Sequence, residues 1–384
     1  MMEPAELLAG PRGRRFVMEA ILRAGTPAEP EAPDGPEAEP GTIGWQSGPL
    51  EPFAGRWATA EPAALRGLSE ADVMGSLVDS VSSAMYWEPP HPEDVFLAEP
   101  GRADELRPAA EALLEHPVFA ALDRPLLAWS GRLNYPAAHI DWIDPSSPDR
   151  RFPPHLSRTD AQGRDKLERW RRHVDAGVRR ARSDRPRDVR ANFGGEWWAT
   201  PARVDLLTTT PLPGADALAP GVEIGTPLLL QGIEDSFGLT AGTVRVLHLA
   251  PEADPRVYEV DSPDAWARLV AAFPLDVTPA RRHMYYQVTG LDVGWFMPDW
   301  QQVADQYDAV HVTVGGYLAT ATRPIPLAGH GLPGGHTMLA GWDPDQTYWF
   351  DAPLQQVDQF EVELFERDPE DDPALDDVWR RTAT

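Results

Sequence analysis

Three clusters in the last half of the chain set tryptophans beside acids and glycines. They are Gly194-Gly195-Glu196-Trp197-Trp198-Ala199-Thr200-Pro201, Pro298-Asp299-Trp300 with Tyr307-Asp308-Ala309-Val310-His311, and Gly341-Trp342-Asp343-Pro344-Asp345 with Thr347-Tyr348-Trp349. An indole is usually buried, but its flat face can also wall a planar ligand while a nearby carboxylate or hydroxyl orients the ligand's polar groups. The clusters are expected to line one pocket, with Trp198, Thr200, Trp300, Asp308, Trp342 and Asp343 as binding residues.

Each cluster also has a purely structural reading. Extended backbone sends Trp197 and Trp198 to opposite faces, so one ring must be core. Asp343 and Asp345 flank Pro344 in what reads as a hairpin turn, or they are paired carboxylates at a pocket rim, suited to acid–base work or a hard cation. His311 alternates with valines in Val310-His311-Val312. It is either a satisfied strand histidine or the acid–base group, since an unperturbed imidazole titrates near neutrality.

Weaker patterns carry less. His330 and His336 bracket a Gly-rich loop without a third ligand nearby, and His139-Ile140-Asp141 puts two possible ligands on one strand face. No metal site is expected from either. Gly329 to Gly334 spells GxGxxG, but Pro333 removes a backbone donor and a strand follows, not a helix. GxxxxGK[ST] and GxSxG are both absent.

Composition narrows the classes. The chain has 384 residues, 42% of them hydrophobic, 24% charged and none of them cysteine. It can bury a real core, and thiolate metal sites and cysteine nucleophiles are excluded. A net charge of −26 argues against binding nucleic acid through phosphate neutralisation. Basic residues crowd the stretch from Arg150 to Arg190, and acids crowd Glu361 to Asp377. Solvated faces account for both, and so would mutual docking or an acidic partner for the stripe. With neither a signal peptide nor a long apolar run, a cytoplasmic protein without membrane contact is expected.

The elements that must position these residues follow from periodicity. Helical spacing appears over Arg14–Arg23, Glu70–Tyr86, Asp104–Leu122, Asp165–Arg182, Pro263–Phe273 and Asp299–Gln306, with Ser262 a candidate N-cap. Strand patterns run over Leu126–Ser130, Val204–Thr209, Thr226–Leu230, Thr243–Leu249, Val257–Val260, Ala309–Val314, Thr337–Ala340 and Thr347–Phe350. The expected fold is α+β, a mostly helical N-terminal part followed by a mainly antiparallel split-sheet domain. The expected boundaries are a helical region over 1–143 with a flexible loop at 25–44, a Pro-rich connector and basic helix over 144–190, an α+β domain over 191–366, and an acidic tail over 367–384.

From Asn192 to Phe350 the chain resembles an uncharacterised bacterial group with Gly-x-Trp-x-Ser/Thr, Asp-Trp-x-x-Val-Ala…Tyr-Asp-x-Val/Ile and Gly-Trp-Asp…Trp elements, the first stretched here by one residue as Gly195-Glu196-Trp197-Trp198-Ala199-Thr200. That order is similar to mono-ADP-ribosyltransferase-like toxins, which grip NAD between two small antiparallel sheets. The resemblance implies an arginine for the NAD phosphates, for which Arg132 stands, and a Ser/Thr support, for which Thr200 stands. It also implies a Gln/Glu-x-Glu strand, matched by Gln359-Phe360-Glu361-Val362-Glu363, with Glu361 and Glu363 as the catalytic carboxylates. Departures are a missing Ser-Thr-Ser, the distance of Arg132 upstream of Thr200, and the acidic tail directly after Glu363.

The expected function is therefore binding of NAD or a related nucleotide, with or without ADP-ribose transfer. Two rivals stand beside it: a non-catalytic protein-interaction module, and a biosynthetic enzyme using Asp/His acid–base chemistry on a small aromatic ligand.

Overall fold

The computed structural model describes residues 2–25, 61–84, 89–122, 124–128, 130–142, 161–191, 206–212, 223–224, 241–351, 353–365 and 378–382. Among the described residues, seven helices come first: α1 Pro4–Leu7, α2 Pro11–Ala24, α3 Pro62–Arg66, α4 Glu70–Ser82, α5 Pro92–Leu97, α6 Arg102–Leu114 and α7 Pro117–Leu122. Strand β1 (Ala137–Trp142) and the long helix α8 (Ala161–Asp184) lead into the sheet-rich part.

There the order is β2 Leu207–Pro211, β3 Glu223–Ile224, β4 Ala241–Leu249, β5 Val257–Val260, α9 Pro263–Ala272, β6 Pro274–Asp276 and α10 Thr278–Thr289. It continues with β7 Gly294–Pro298, α11 Trp300–Gln306, β8 Ala309–Val312, α12 Val314–Thr320, β9 Ile325–Pro326 and β10 Gly335–Thr337. The last strands are β11 Gln346–Trp349, β12 Leu354–Phe365 and β13 Val378–Arg381. The fold is α+β, helical first and sheet-rich after, in accord with the periodicity.

Local chemistry explains the helix starts. Ser69 and Asp72 form a reciprocal capping box at α4, and the Ser262 hydroxyl accepts from the Ala265 amide at 3.2 Å at α9. The helix expected over Asp104–Leu122 divides before Pro117, which cannot continue the α6 ladder. The strand expected over Ala309–Val314 ends at Val312, because the Thr313 hydroxyl accepts from the Gly316 amide and starts α12.

Nine strands form one sheet in the order β3-β13-β12-β4-β1-β2-β11-β8-β5, and four form a second in the order β6-β7-β10-β9. Ladders are antiparallel except β5–β8 and β7–β10. Strand β1 sits between β4 and β2, so the region before residue 143 contributes to the C-terminal sheet.

One face of the large sheet supplies Val310, Val312, Tyr348 and Phe350 to the main core, which also takes Phe16, Leu77 and Leu113 from the N-terminal helices. The two parts therefore share one apolar interior. The opposite face carries a smaller cluster of Leu126, Leu249, Ala309 and Trp349.

Gly316 lets the first turn of α12 lie on the end of β5, where any Cβ would run into the Val260 carbonyl. Gly316→Ala is expected to cost about 1–3 kcal/mol through forced backbone shifts. A denaturant melt checks it: an unchanged midpoint would show that α12 does not bear on β5.

Candidate functional site

The expected tryptophan pocket is replaced by packing. Trp266, Trp300 and Trp342 do converge, but on one another: centroids lie 6.2 Å apart for Trp266–Trp300, 6.4 Å for Trp266–Trp342 and 5.7 Å for Trp300–Trp342. Tyr348 stands edge-on to Trp342 at 4.7 Å, and Phe350 lies 6.1 Å from Trp300. Trp300 and Trp342 are 0% and 2% exposed, which leaves neither ring a face for a ligand. Apolar helix and strand faces claim them before any cavity can, since burying an indole is worth more than leaving it at a surface. Trp198 and Thr200 lie outside the described residues.

Asp308 and Asp343 close turns. Both Asp308 oxygens are held by Arg256, from the backbone amide at 2.7 Å and from Nη2 at 2.9 Å. Burial alone would raise this carboxyl, but the Arg256 bonds and charge keep it below the usual range. Asp343 accepts from the Gln346 side-chain amide at 3.2 Å across the turn before β11.

His311 is buried between two carboxylates. Its Nδ1 lies 2.6 Å from Glu259 Oε2 and its Nε2 lies 3.1 Å from Asp345 Oδ1. Glu259 comes from β5, paired directly to His311 on β8, and its second oxygen accepts the Leu126 amide at 2.9 Å. Asp345 reaches the ring from a left-handed backbone conformation, φ 56°. Burial alone would push the imidazole pKa down, yet the charges and hydrogen bonds of Glu259 and Asp345 raise it to about 10. At neutral pH His311 is thus a fully buried imidazolium that locks three segments. It is not placed to serve as the acid–base group expected from its unperturbed pKa, because the ring is 0% exposed and carboxylates engage both of its nitrogens.

His311 belongs to a longer polar row. Residues directly opposite in a ladder point to the same face. The register aligns Glu259, His311, Thr347 and Thr209 across β5, β8, β11 and β2. On β1, His139 follows Ala138, the partner of Thr210, and pairs with Arg245 of β4, which pairs with Gln359 of β12. Trp349 Nε1 donates to Thr209 Oγ1 at 2.9 Å, while Thr347 Oγ1 is buried without a hydrogen-bond partner among the described residues.

Toward β12 the row doubles and opens to solvent. Asp141, Thr243 and Glu361 form the adjacent line on the same face, and Glu363 follows Glu361 opposite Arg380 of β13. Arg245 Nε donates to Asp141 Oδ2 at 2.6 Å, and His139 Nε2 lies 3.5 Å from Asp141 Oδ1. Burial alone would raise the Asp141 carboxyl, but bonds from His139 and Arg245 bring it below its ordinary value. The Thr243 hydroxyl lies 2.9 Å from both Glu361 oxygens. Arg245 Nη1 donates to Gln356 at 3.2 Å, beside a bulge between Gln356 and Asp358. This face therefore presents a guanidinium, carboxylates and side-chain amides within three neighbouring strands.

Of the residues expected at a site, Glu361, Glu363 and His311 share this sheet face, the first two at its open end and His311 at its buried end. Arg132 does not join them. It is exposed on the turn whose Leu127 and Leu133 form an isolated bridge, and its Nη2 donates to the Pro251 carbonyl at 3.2 Å. Short length and a turn at Gly131, φ 75°, prevent that segment from forming the expected strand.

Arg245, Asp141 and Thr243 were not singled out for this role. The alternation His139-Ile140-Asp141 was a signal for one of them, whereas the alignment of Arg245 with Gln359 needs a ladder between segments over a hundred residues apart. Among the described residues no group of three His, Asp or Glu side chains is placed so that it could hold a metal ion, and no helix is long and apolar enough to cross a membrane. No family model, curated protein or solved structure matches the chain.

Proposed function

We propose that the protein binds NAD or a related nucleotide on the polar face of β1, β4 and β12 and transfers its ADP-ribose. The supporting observation is the register that sets Arg245 and Thr243 of one strand level with Gln359 and Glu361 of the next. In this reading Arg245 takes the phosphate-binding role that the resemblance gave to Arg132. Gln359 and the carboxylates of Glu361 and Glu363 face the ribose, where negative charge stabilises an oxocarbenium-like centre as nicotinamide leaves. The buried tryptophans take no part in it.

A binding-only version has its own support. The Thr243 hydroxyl bridges both oxygens of Glu361, and Asp141 already occupies Arg245. Those are the contacts of groups built to stay in place.

Thermal shift with NAD, followed by an assay for released nicotinamide, separates the versions. Ligand at about 100 times its Kd should add roughly 2.7 kcal/mol to the folded state. Arg245→Gln should lose that shift. Glu363→Gln should keep the shift and stop nicotinamide release. A shift without release in the parent protein selects binding alone, and no shift with NAD or ADP-ribose rejects both.

A further inference from the structure

A cavity of about 430 Å³, lined by no strand of the large sheet, lies between the N-terminal helices and the segment that follows α12. Its walls come from the start of α2, from α5, from the end of α10 and from Thr322–Pro324. Most of the lining is apolar, including Pro11, Val95, Val288 and Pro324, but three arginines also reach it.

Arg12 is neutralised. Its guanidinium is ion-paired to Asp94 with side-chain exposures of 1% and 4%. Arg14 and Arg323 are different. Both are half-buried, and neither has a carboxylate within ion-pair distance among the described residues. Arg14 bonds only backbone carbonyls, Leu97 at 3.0 Å and Gly10 at 3.3 Å, and Arg323 reaches only the Ala319 carbonyl at 3.5 Å.

Burial lowers the pKa of both groups; the charge of Asp94 on Arg14 and of Glu6 on Arg323 offsets this only in part, and Arg323 adds repulsion to Arg14. A guanidinium stays protonated regardless, so the pocket keeps its positive charge and carries the electrostatic cost. The first turn of the fourteen-residue helix α2, which has no side-chain cap, adds positive potential at the same wall.

Arg12 Nε, a donor in a lining residue, is also buried without a hydrogen-bond partner among the described residues, while Asp94, the one acid in the lining, is paired to Arg12. Thr322 holds φ at 58°, an outlier for a β-branched residue, which keeps the Arg323 segment bent along the cavity. The volume falls in the range of small-molecule sites, roughly 300–1,000 Å³.

We propose that this cavity binds a small organic anion, an apolar body bearing one phosphate or carboxylate, with Arg14 and Arg323 clamping the charged group. The proline and valine walls take the body, and the two guanidiniums supply paired donors that suit a planar or tetrahedral oxyanion. The site is independent of the nucleotide reading.

Isothermal titration of the full chain with phenyl phosphate, benzoate, inorganic phosphate and uncharged benzyl alcohol tests the proposal. Saturable binding of phenyl phosphate or benzoate at one site is expected, and which of the two binds tighter identifies the head group. Benzyl alcohol should not bind, and inorganic phosphate should bind at least tenfold more weakly than the preferred aromatic anion.

Arg323→Gln should weaken the preferred anion at least tenfold, and the Arg14→Gln/Arg323→Gln pair should abolish it. Val288→Trp fills the cavity while keeping both cations and should block binding too. Glu361→Gln should leave it unchanged. Failure of both aromatic anions to bind would overturn the proposal. So would equal binding of benzyl alcohol, or retained affinity in the Val288→Trp protein.

Discussion

Replacing His311 with glutamine is expected to cost about 3–5 kcal/mol, among the largest losses any single substitution should produce here. The magnitude follows from removing the cation of a buried ionic group and leaving its carboxylates without that counter-charge. Glu259 and Asp345 are only 25% and 12% exposed at the side chain, and the imidazolium is their shared counter-charge.

The loss should depend on pH with a definite sign. The folded-state pKa of about 10 lies above the ordinary 6.5, so the contribution is fully present below pH 6.5. It fades as pH rises toward 10. Urea melts of both proteins at pH 6.5 and pH 10 should show a wide gap at the lower pH and a narrow one at the higher. A gap that stays constant would mean the ring is neutral in the native protein.

Arg12 offers the second large effect. Its Nη1 donates to the Ser80 carbonyl at 2.7 Å and the Ser83 hydroxyl at 2.9 Å, and its Nη2 pairs with Asp94. One side chain thus ties α2 to the last turn of α4 and to α5. Among the described residues, Arg12→Met leaves Asp94 with Arg15 Nη1, at 3.9 Å, as its one cation within ion-pair distance. The expected cost is again about 3–5 kcal/mol.

The double variant Arg12→Met/Asp94→Leu should recover most of it, because no buried charge is then stranded. Chemical denaturation of the two singles and the double measures the coupling. Additive losses would show that the guanidinium acts through its serine contacts rather than through Asp94.

How much of this was legible in the sequence differs by element. Val257–Val260 and Pro263–Phe273 were readable because alternation and a Ser262 cap act over a few residues. Helix α10 was not, since its Tyr285, Val288 and Thr289 suit a strand and its buried Arg281 and His283 break the apolar stripe. Tertiary packing overrides propensity there.

At the site, the sequence identified His311, Glu361 and Glu363 as chemistry-bearing groups without placing them on one face. That placement rests on ladders between distant segments. Asp345 was visible as half of an Asp-Pro-Asp turn, but only the fold shows that it, and not Asp343, meets the imidazole. The tryptophans misled for a physical reason. Neighbouring acids suggested orienting groups for a ligand, whereas the acids close turns around an aromatic core.

The position of β1 between β4 and β2 has a consequence for synthesis. Residues 137–142 leave the ribosome well before either neighbour exists, so one edge of that strand stays open until β2, about 65 residues later, and the other until β4, about a hundred residues later. Strand β4 must in turn wait for β12, near the end of the chain, to cover its other side. Late sheet closure of this kind makes maturation slow, and nascent chains stalled before β12 would present bare hydrogen-bonding edges to one another and clump.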